Sequence, residues 1–357
     1  MNLDNLSDIQ KIDSQDMLAE IDNLPDQLAS AWILGQSFPL PAFTGFTRVV
    51  ICGMGGSAIG AELLAGYVLE QCAIPVIIHR DYGLPAFATG RETLFIASSH
   101  SGNTEEILNS FDAAVKHGCS MIVICTGGKL AQKAESAGYS TWVFPHKGRP
   151  AAALGFSFGL LLALFSRLGL LPDQTDRLAS AIQAMRLQQQ QIQVNIPAAQ
   201  NPAKRYAGQL VGRWVTIFGS GALAAVARRW KSQINEMAKA PANFEFLPEA
   251  DHNTLAGVIN PSQEVLMPHT MSLFLMSASD HPRNSIRTLM TRQTFMLEGL
   301  NTDIYRATGE TRLPQMWTAI HFGDYMAYYL AIAYSIDPTP VDALNSLKST
   351  LSEKLVT

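Results

Sequence analysis

Four hydroxyl side chains stand close together in Ser98-Ser99-His100-Ser101-Gly102-Asn103-Thr104-Glu105-Glu106. The stretch follows Leu94-Phe95-Ile96-Ala97, a short apolar run that reads as a buried strand. Ile107-Leu108 and Phe111 to Val115 behind it read as a helix. Unpaired backbone N–H groups and the positive end of the helix dipole converge at such a junction. Ser99, Ser101 and Thr104 add hydroxyl donors, and Gly102 lets a ligand approach the backbone. A phosphate monoester suits that arrangement. A Ser/Thr cap with Glu behind it would need only one of these hydroxyls, so the spare ones favour an anion.

A second glycine-rich turn, Gly53-Met54-Gly55-Gly56-Ser57-Ala58, follows the strand pattern Thr47 to Cys52. Gly53-x-Gly55-x-x-Ala58 matches a dinucleotide turn, as does Gly219-x-Gly221-x-x-Ala224. The acidic residue that would meet a ribose is poorly supplied, since His79-Arg80 precedes Asp81. The readings therefore rank as phosphate or sugar binding, then close helix–strand packing, then NAD.

Two further groups could move protons. Glu236, in Asn235-Glu236, lies near the end of a helix expected from Leu223 to Lys239. A carboxylate there faces the negative end of the dipole, which favours its protonated form and suits a base that removes a proton beside a carbonyl. The bland alternative is a solvated Glu paired with Lys239, and spacing alone favours it. His252, in Asp251-His252-Asn253, could shuttle protons near neutral pH; a loop histidine in solvent is the simpler reading. His79, His100, His117, His146, His269, His281 and His321 form no metal-ligand spacing, and no Ser-His-Asp order stands out.

These residues need a scaffold, and the chain supplies it twice. Residues 1–46 read as an N-terminal arm, broken up by Pro25, Pro39 and Pro41, that packs on the body. Strand patterns at 47–52, 74–79, 94–97, 121–125 and 141–144 alternate with helices. That alternation predicts an α/β fold with a doubly wound parallel sheet, whose ligands bind at the carboxyl ends of the strands. The glycine and hydroxyl turns all fall there. A polar, Gln-rich helix at 176–193 and a Pro/Asn-rich break at 195–202 read as a connector.

The second half then repeats the first. Gly219 stands 166 positions after Gly53, and Leu273 stands 179 after Leu94. The thirteen or so extra residues are expected around 241–257, which makes Asp251-His252-Asn253 part of an inserted loop. The phosphate loop itself is not copied: Asp280-His281-Pro282-Arg283 takes the place of Ser101-Gly102-Asn103-Thr104. The domain division read from this is an arm at 1–46, a first domain at 47–175, a connector at 176–202 and a second domain at 203–357. A cleft between the halves would hold the ligand.

The chain has 357 residues, 47% hydrophobic and 16% charged, with net charge −4. Nothing there recommends nucleic acid or an anionic membrane as a partner. Met1-Asn2-Leu3-Asp4 lacks the basic and apolar regions of a signal peptide, so a cytoplasmic protein is expected. Cys52, Cys72, Cys119 and Cys125 show no C-x-x-C spacing and read as reduced thiols rather than disulfides or ligands.

The two motifs Gly53 to Ala58 and Ser99 to Glu106, with the two-fold repeat, resemble tandem sugar isomerase (SIS) domain proteins. Gln233-Ile234-Asn235-Glu236-Met237-Ala238-Lys239, His252-Asn253 and Asp337-Pro338-Thr339-Pro340-Val341 narrow the resemblance to the bifunctional phosphoglucose/phosphomannose isomerase family. It spans nearly the whole chain, from Met17 and Pro25-Asp26-Gln27 to Lys348. His100 stands where Tyr is frequent in that family, and Met237 and Asp251 where Asn is common.

The resemblance implies two tandem flavodoxin-like SIS domains. It implies interconversion of glucose 6-phosphate or mannose 6-phosphate with fructose 6-phosphate through a cis-enediol, with no metal and no nucleotide cofactor. By the same resemblance Ser57, Ser99, Ser101 and Thr104 hold the phosphate, with backbone amides of Gly55 and Gly56. Glu236 moves the proton between C1 and C2. His252, from the partner subunit of a homodimer, helps open the ring. Arg149, in Lys147-Gly148-Arg149-Pro150, stabilises the enediolate. Lys348 corresponds to a C-terminal active-site lysine, and Thr339 positions sugar or water. Competing expectations are a non-catalytic sugar-phosphate sensor and the isomerase half of a glucosamine 6-phosphate synthase. The sensor usually carries an effector segment, which the acidic arm does not offer. The synthase needs an N-terminal Cys, and none precedes Cys52.

Overall fold

A computed structural model describes residues 2–353. The arm forms three helices, α1 (Leu6–Ile12), α2 (Met17–Asp22) and α3 (Leu24–Ser37). Pro25 lies in the first turn of α3, where a missing N–H costs nothing, so it opens a helix rather than breaking one. The first sheet follows: β1 (Arg48–Cys52), α4 (Gly55–Val68), β2 (Val76–His79), β3 (Thr93–Ser99), α5 (Glu105–Lys116), β4 (Ser120–Cys125), α6 (Gly128–Ser136) and β5 (Ser140–Val143). All its pairings are parallel, in the order β2-β1-β3-β4-β5. That is the flavodoxin-like order, with its switch point between β1 and β3.

Helices α7 (Leu154–Arg167), α8 (Thr175–Ile192) and α9 (Pro202–Leu210) lead to the second sheet. It comprises β6 (Trp214–Ser220), α10 (Leu223–Met237), β7 (Ala242–Leu247), α11 (Gln263–Leu266), β8 (Thr270–Met276), α12 (Pro282–Leu297) and β9 (Thr302–Arg306). Its order, β7-β6-β8-β9, repeats the first four strands of the first sheet, again all parallel. Helices α13 (Arg312–Ala333) and α14 (Asp342–Glu353) follow. The segment expected to be an insertion, 241–257, contains β7, a regular sheet strand paired with β6 along Val215 to Ser220. Its half-buried, Phe- and Glu-containing pattern hid it. The extra residues come after β7, as two 3-10 turns, Glu249–His252 and Thr254–Val258, and the short α11.

Every residue of β3 is buried, as both faces of a parallel strand flanked by helices must be. Along β1 and β3 the side chains alternate between two cores. Val49, Ile51, Leu94 and Ile96 join a cluster shared by both halves and the arm. Val50, Cys52, Phe95 and Ala97 join a smaller one under α5 and α6. Helices α7 and α13 are apolar nearly all round and buried over almost their whole length, which only a central position permits. One buried ion pair fixes α10 on α13. The Arg229 guanidinium donates to both Asp324 carboxylate oxygens, at 3.1 and 2.7 Å, with both residues at most 3% exposed. All four cysteines are free thiols, and burial pushes the Cys52 thiol up to about 11.

Candidate active site

The loop between β3 and α5 and the turn between β1 and α4 meet at one hydrogen bond: the His100 amide donates to Ser57 Oγ at 3.2 Å. Ser57 and Ser99 are buried, while Ser101 is exposed. Ser99 Oγ accepts from the Gly102 amide and lies 3.0 Å from Thr104 Oγ1. Thr104 sits at the N-cap of α5, yet its side chain makes no capping bond. The simple capping box is therefore not formed, and the hydroxyl turns to Ser99 instead. Asn103 N donates to Ser101 Oγ at 3.2 Å.

Glycines let this loop close. Gly102 adopts φ +63°, and a Cβ there would run into the Gly127 carbonyl. Gly56, in the first turn of α4, packs on Pro150, where a Cβ would lie 2.5 Å from the carbonyl oxygen. Gly56 thus sets the serine-bearing turn directly against the Arg149–Pro150 segment.

In the second half the corresponding turn is filled by the chain's own anion. Asp280 Oδ2 accepts from the Ser277 amide at 3.0 Å, and a Cβ on Gly221 would lie 3.2 Å from Asp280 Oδ1. Burial raises the Asp280 carboxyl above the usual carboxylate range, against the pull of the Ser277 amide.

Glu236 is half-buried in the last turn of α10. The ion pair with Lys239 that the spacing favoured is not made. Lys239 takes a left-handed φ of +54°, unusual for a side-chain-bearing residue. That turn brings its Nζ onto four main-chain carbonyls: Glu236 at 2.6 Å, Met237 and Asp337 at 3.2 Å, and Pro338 at 3.3 Å. Helices often close on a cation this way, but here the cation also joins α10 to the segment before Thr339. Burial lowers the Lys239 pKa, and the neighbouring Arg149 charge lowers it further; Asp337, Glu236 and Asp342 pull the other way. Arg149 and Glu236 are therefore each within electrostatic reach of Lys239.

Thr339 is 4% exposed and its amide donates to Asp337 Oδ1 at 2.9 Å. Its buried hydroxyl has no hydrogen-bond partner in the protein. A buried orphan hydroxyl costs free energy unless something else meets it, which fits a group that receives substrate or water.

The structure does not bring all the expected residues together. His252 closes a 3-10 turn and is exposed. Lys348 is exposed on α14. No hydrogen bond or ion pair joins either to Glu236, Arg149 or the serine loop among the described residues. Asp251 anchors the turn that carries His252: Arg287 donates to it at 2.8 Å and Thr291 at 2.6 Å, both from α12.

The main-chain contacts of Lys239 could not be read from residue spacing, in which its φ leaves no mark. The structure also adds two groups that the sequence reading passed over, Glu20 and His146: His146 Nδ1 lies 2.8 Å from His100 Nε2, and His146 Nε2 lies 3.3 Å from Glu20 Oε2. Among the described residues no group of three His, Cys, Asp or Glu could hold a metal, and no helix is long and apolar enough to cross a membrane.

Comparison with known proteins places this chain in a family. Residues 199–351 match the family described as the bacterial phospho-glucose isomerase C-terminal SIS domain. The chain is 39% identical to a bifunctional phosphoglucose/phosphomannose isomerase of Caldicellulosiruptor bescii, over 94% of this chain and 99% of that one. It is 32% identical to the protein of that name from Thermoplasma acidophilum, over 86% and 90% of the two chains. A hypothetical protein from Thermus thermophilus shares the fold at TM-score 0.76 and 14% identity, over 99% and 94%. Two sheets of one strand order, and identity running through both of them, carry the conclusion that this chain belongs to the bifunctional phosphoglucose/phosphomannose isomerase family.

Proposed function

We propose that the protein is an aldose–ketose isomerase that interconverts glucose 6-phosphate, mannose 6-phosphate or both with fructose 6-phosphate. The observation that carries the reading is the Lys239 tie that joins the Glu236 end of α10 to the segment before Thr339, whose buried hydroxyl has no partner, with the Arg149 charge within reach of Lys239.

In this reading Ser57, Ser99, Ser101 and Thr104, with the Gly55 and Gly56 amides, hold the substrate phosphate at the head of α4 and α5. Glu236 takes the C2 proton of the open-chain aldose. The electron pair left behind forms the C1–C2 double bond of a cis-enediolate, and the carbonyl oxygen takes the negative charge. Arg149 faces that charge. Glu236 returns its proton to C1 while the C2 hydroxyl gives its proton to O1, so the C2 oxygen becomes the carbonyl and fructose 6-phosphate results. Glucose and mannose epimers differ at C2, the centre that the enediolate loses, so one base serves both provided the pocket tolerates the rotation about C1–C2 that turns either C2 proton towards it. Thr339 positions sugar or water.

His252 is exposed in a single chain, and its proposed part needs a second copy. We place the protein in the cytoplasm as a homodimer, in which His252 enters the partner's site and assists ring opening, and we assign Lys348 on α14 the part of a C-terminal active-site lysine. The domain division at 47–175 and 203–357, with an arm at 1–46 and a connector at 176–202, belongs to the same proposal.

A coupled assay with glucose 6-phosphate and mannose 6-phosphate, each alone and in EDTA, tests it. Turnover of one or both without added metal is expected. No turnover of either would overturn the reading.

A further inference from the structure

Three side chains distant in sequence form one hydrogen-bonded chain beside the serine loop. Glu20 lies on α2 in the arm, His146 lies after β5, and His100 lies between Ser99 and Ser101. The links are 3.3 Å from Glu20 Oε2 to His146 Nε2 and 2.8 Å from His146 Nδ1 to His100 Nε2. The proton order follows from chemistry. A carboxylate only accepts, so His146 Nε2 carries a proton. With one proton per ring, His146 Nδ1 accepts, and His100 Nε2–H donates to it.

The chain is built in rather than incidental. The His146 side chain is 7% exposed and that of Glu20 is 31% exposed. Phe144 and Phe156 stack on each other at 5.2 Å and flank the two rings, at 5.9 Å from His100 and 5.8 Å from His146. Gln27 Nε2 also donates to Glu20 Oε2, at 3.2 Å.

Both ends of the chain abut parts of the proposed site. At one end the His100 amide donates to Ser57 Oγ, and the His100 carbonyl accepts from Thr126 N and Oγ1 at 3.0 and 2.7 Å. At the other end Glu20 Oε1 rests on Gly148, where a Cβ would collide with it, one residue before Arg149. One carboxylate thus braces both the loop that would hold phosphate and the loop that would present Arg149.

We propose that Glu20, His146 and His100 are positioning residues that set the phosphate loop and the Arg149 loop in register. This rests on the proposed function for the roles of the two loops. It accounts for a carboxylate of the arm reaching toward the site. It also gives the histidine at position 100 a task of its own.

The test uses the full-length protein and two readouts, inorganic phosphate affinity by calorimetry and steady-state kinetics. Glu20→Ala and His146→Ala should each weaken phosphate binding at least fivefold and lower kcat. The double variant should be no worse than the poorer single one, because the residues act as one chain. Glu20→Gln keeps an acceptor oxygen for His146. The Oε1 atom of Gln27, now without a partner, can turn to meet the new amide. This conservative variant should hold phosphate affinity and kcat within about threefold of the parent, and it serves if the alanine variants do not fold.

Glu20→Ala that loses thermal stability but binds phosphate and turns over normally would overturn the proposal, leaving a structural staple. Glu20→Gln as impaired as Glu20→Ala would also overturn it, since charge rather than hydrogen-bond geometry would then matter. A parent protein that binds phosphate through this chain but isomerises neither sugar would count against the proposed function and not against the positioning role.

Discussion

The ammonium of Lys239 donates to the main-chain carbonyl of Glu236, not to its carboxylate, at 2.6 Å. The carboxylate is thereby left without a salt bridge to its nearest lysine, while the end of α10 is tied to Asp337 and Pro338, just before Thr339.

Lys239→Met removes that tie and keeps the stem. Hydrogen bonds to a charged group are worth about 1.5–3 kcal/mol net, so denaturant unfolding should show a loss of that order or less. kcat should fall as well, because Glu236 and Thr339 lose their common anchor. Unchanged kcat and unchanged unfolding midpoint would make the contact inert.

The buried pair Arg229–Asp324 holds α10 on α13. Asp324→Ala leaves a guanidinium buried without its partner, and that typically costs about 3–5 kcal/mol. Urea titration should show a loss of this size. A loss under about 1 kcal/mol would mean that water reaches Arg229 in the variant.

Two histidines make stability pH-dependent. Burial holds His100 at about 4, helped by repulsion from His146 and opposed by Glu20. Burial also holds His321 at about 4, with the Ile21 carbonyl opposing. Unfolded histidine takes its proton near pH 6.5, whereas these refuse it until near 4. The unfolded state therefore binds more protons between these values, and stability falls as pH drops from 6.5 towards 4. Melting curves across that range should show the decline, and His100→Asn should flatten part of it. A Tm that rises on acidification through this window would contradict the assignment.

Much of this was legible in the sequence, for reasons that particular elements show. Buried parallel strands such as β3 are continuous apolar runs, and the turns after them are rich in glycine and hydroxyls, so the first sheet and the serine loop could be read directly. Strand β7 was not legible: it is only partly buried, and its Asn243 and Glu245 blur the pattern. Lys239 was read as a partner of the Glu236 side chain because spacing carries no information on a positive φ. The Glu20–His146–His100 chain joins positions up to 126 residues apart, and no local pattern signals such a meeting.

His252 is exposed, which is what a residue donated to another subunit requires. Inactive Glu236→Gln protein mixed with inactive His252→Ala protein should therefore regain activity after subunit exchange, since one site of each mixed dimer has both groups intact. No recovery after verified exchange would remove His252 from the partner's site.

The central claim is that Glu236 transfers the proton. Glu236→Gln keeps the shape and removes the base, so KM should change little while kcat falls by about 10²–10⁴-fold, the usual worth of a general base. The most direct measurement is solvent deuterium incorporation at C2 of glucose 6-phosphate. The parent protein should exchange readily and Glu236→Gln far more slowly, at equal substrate occupancy. Deuterium entering at the parent rate in the variant, with kcat within about threefold, would contradict the account.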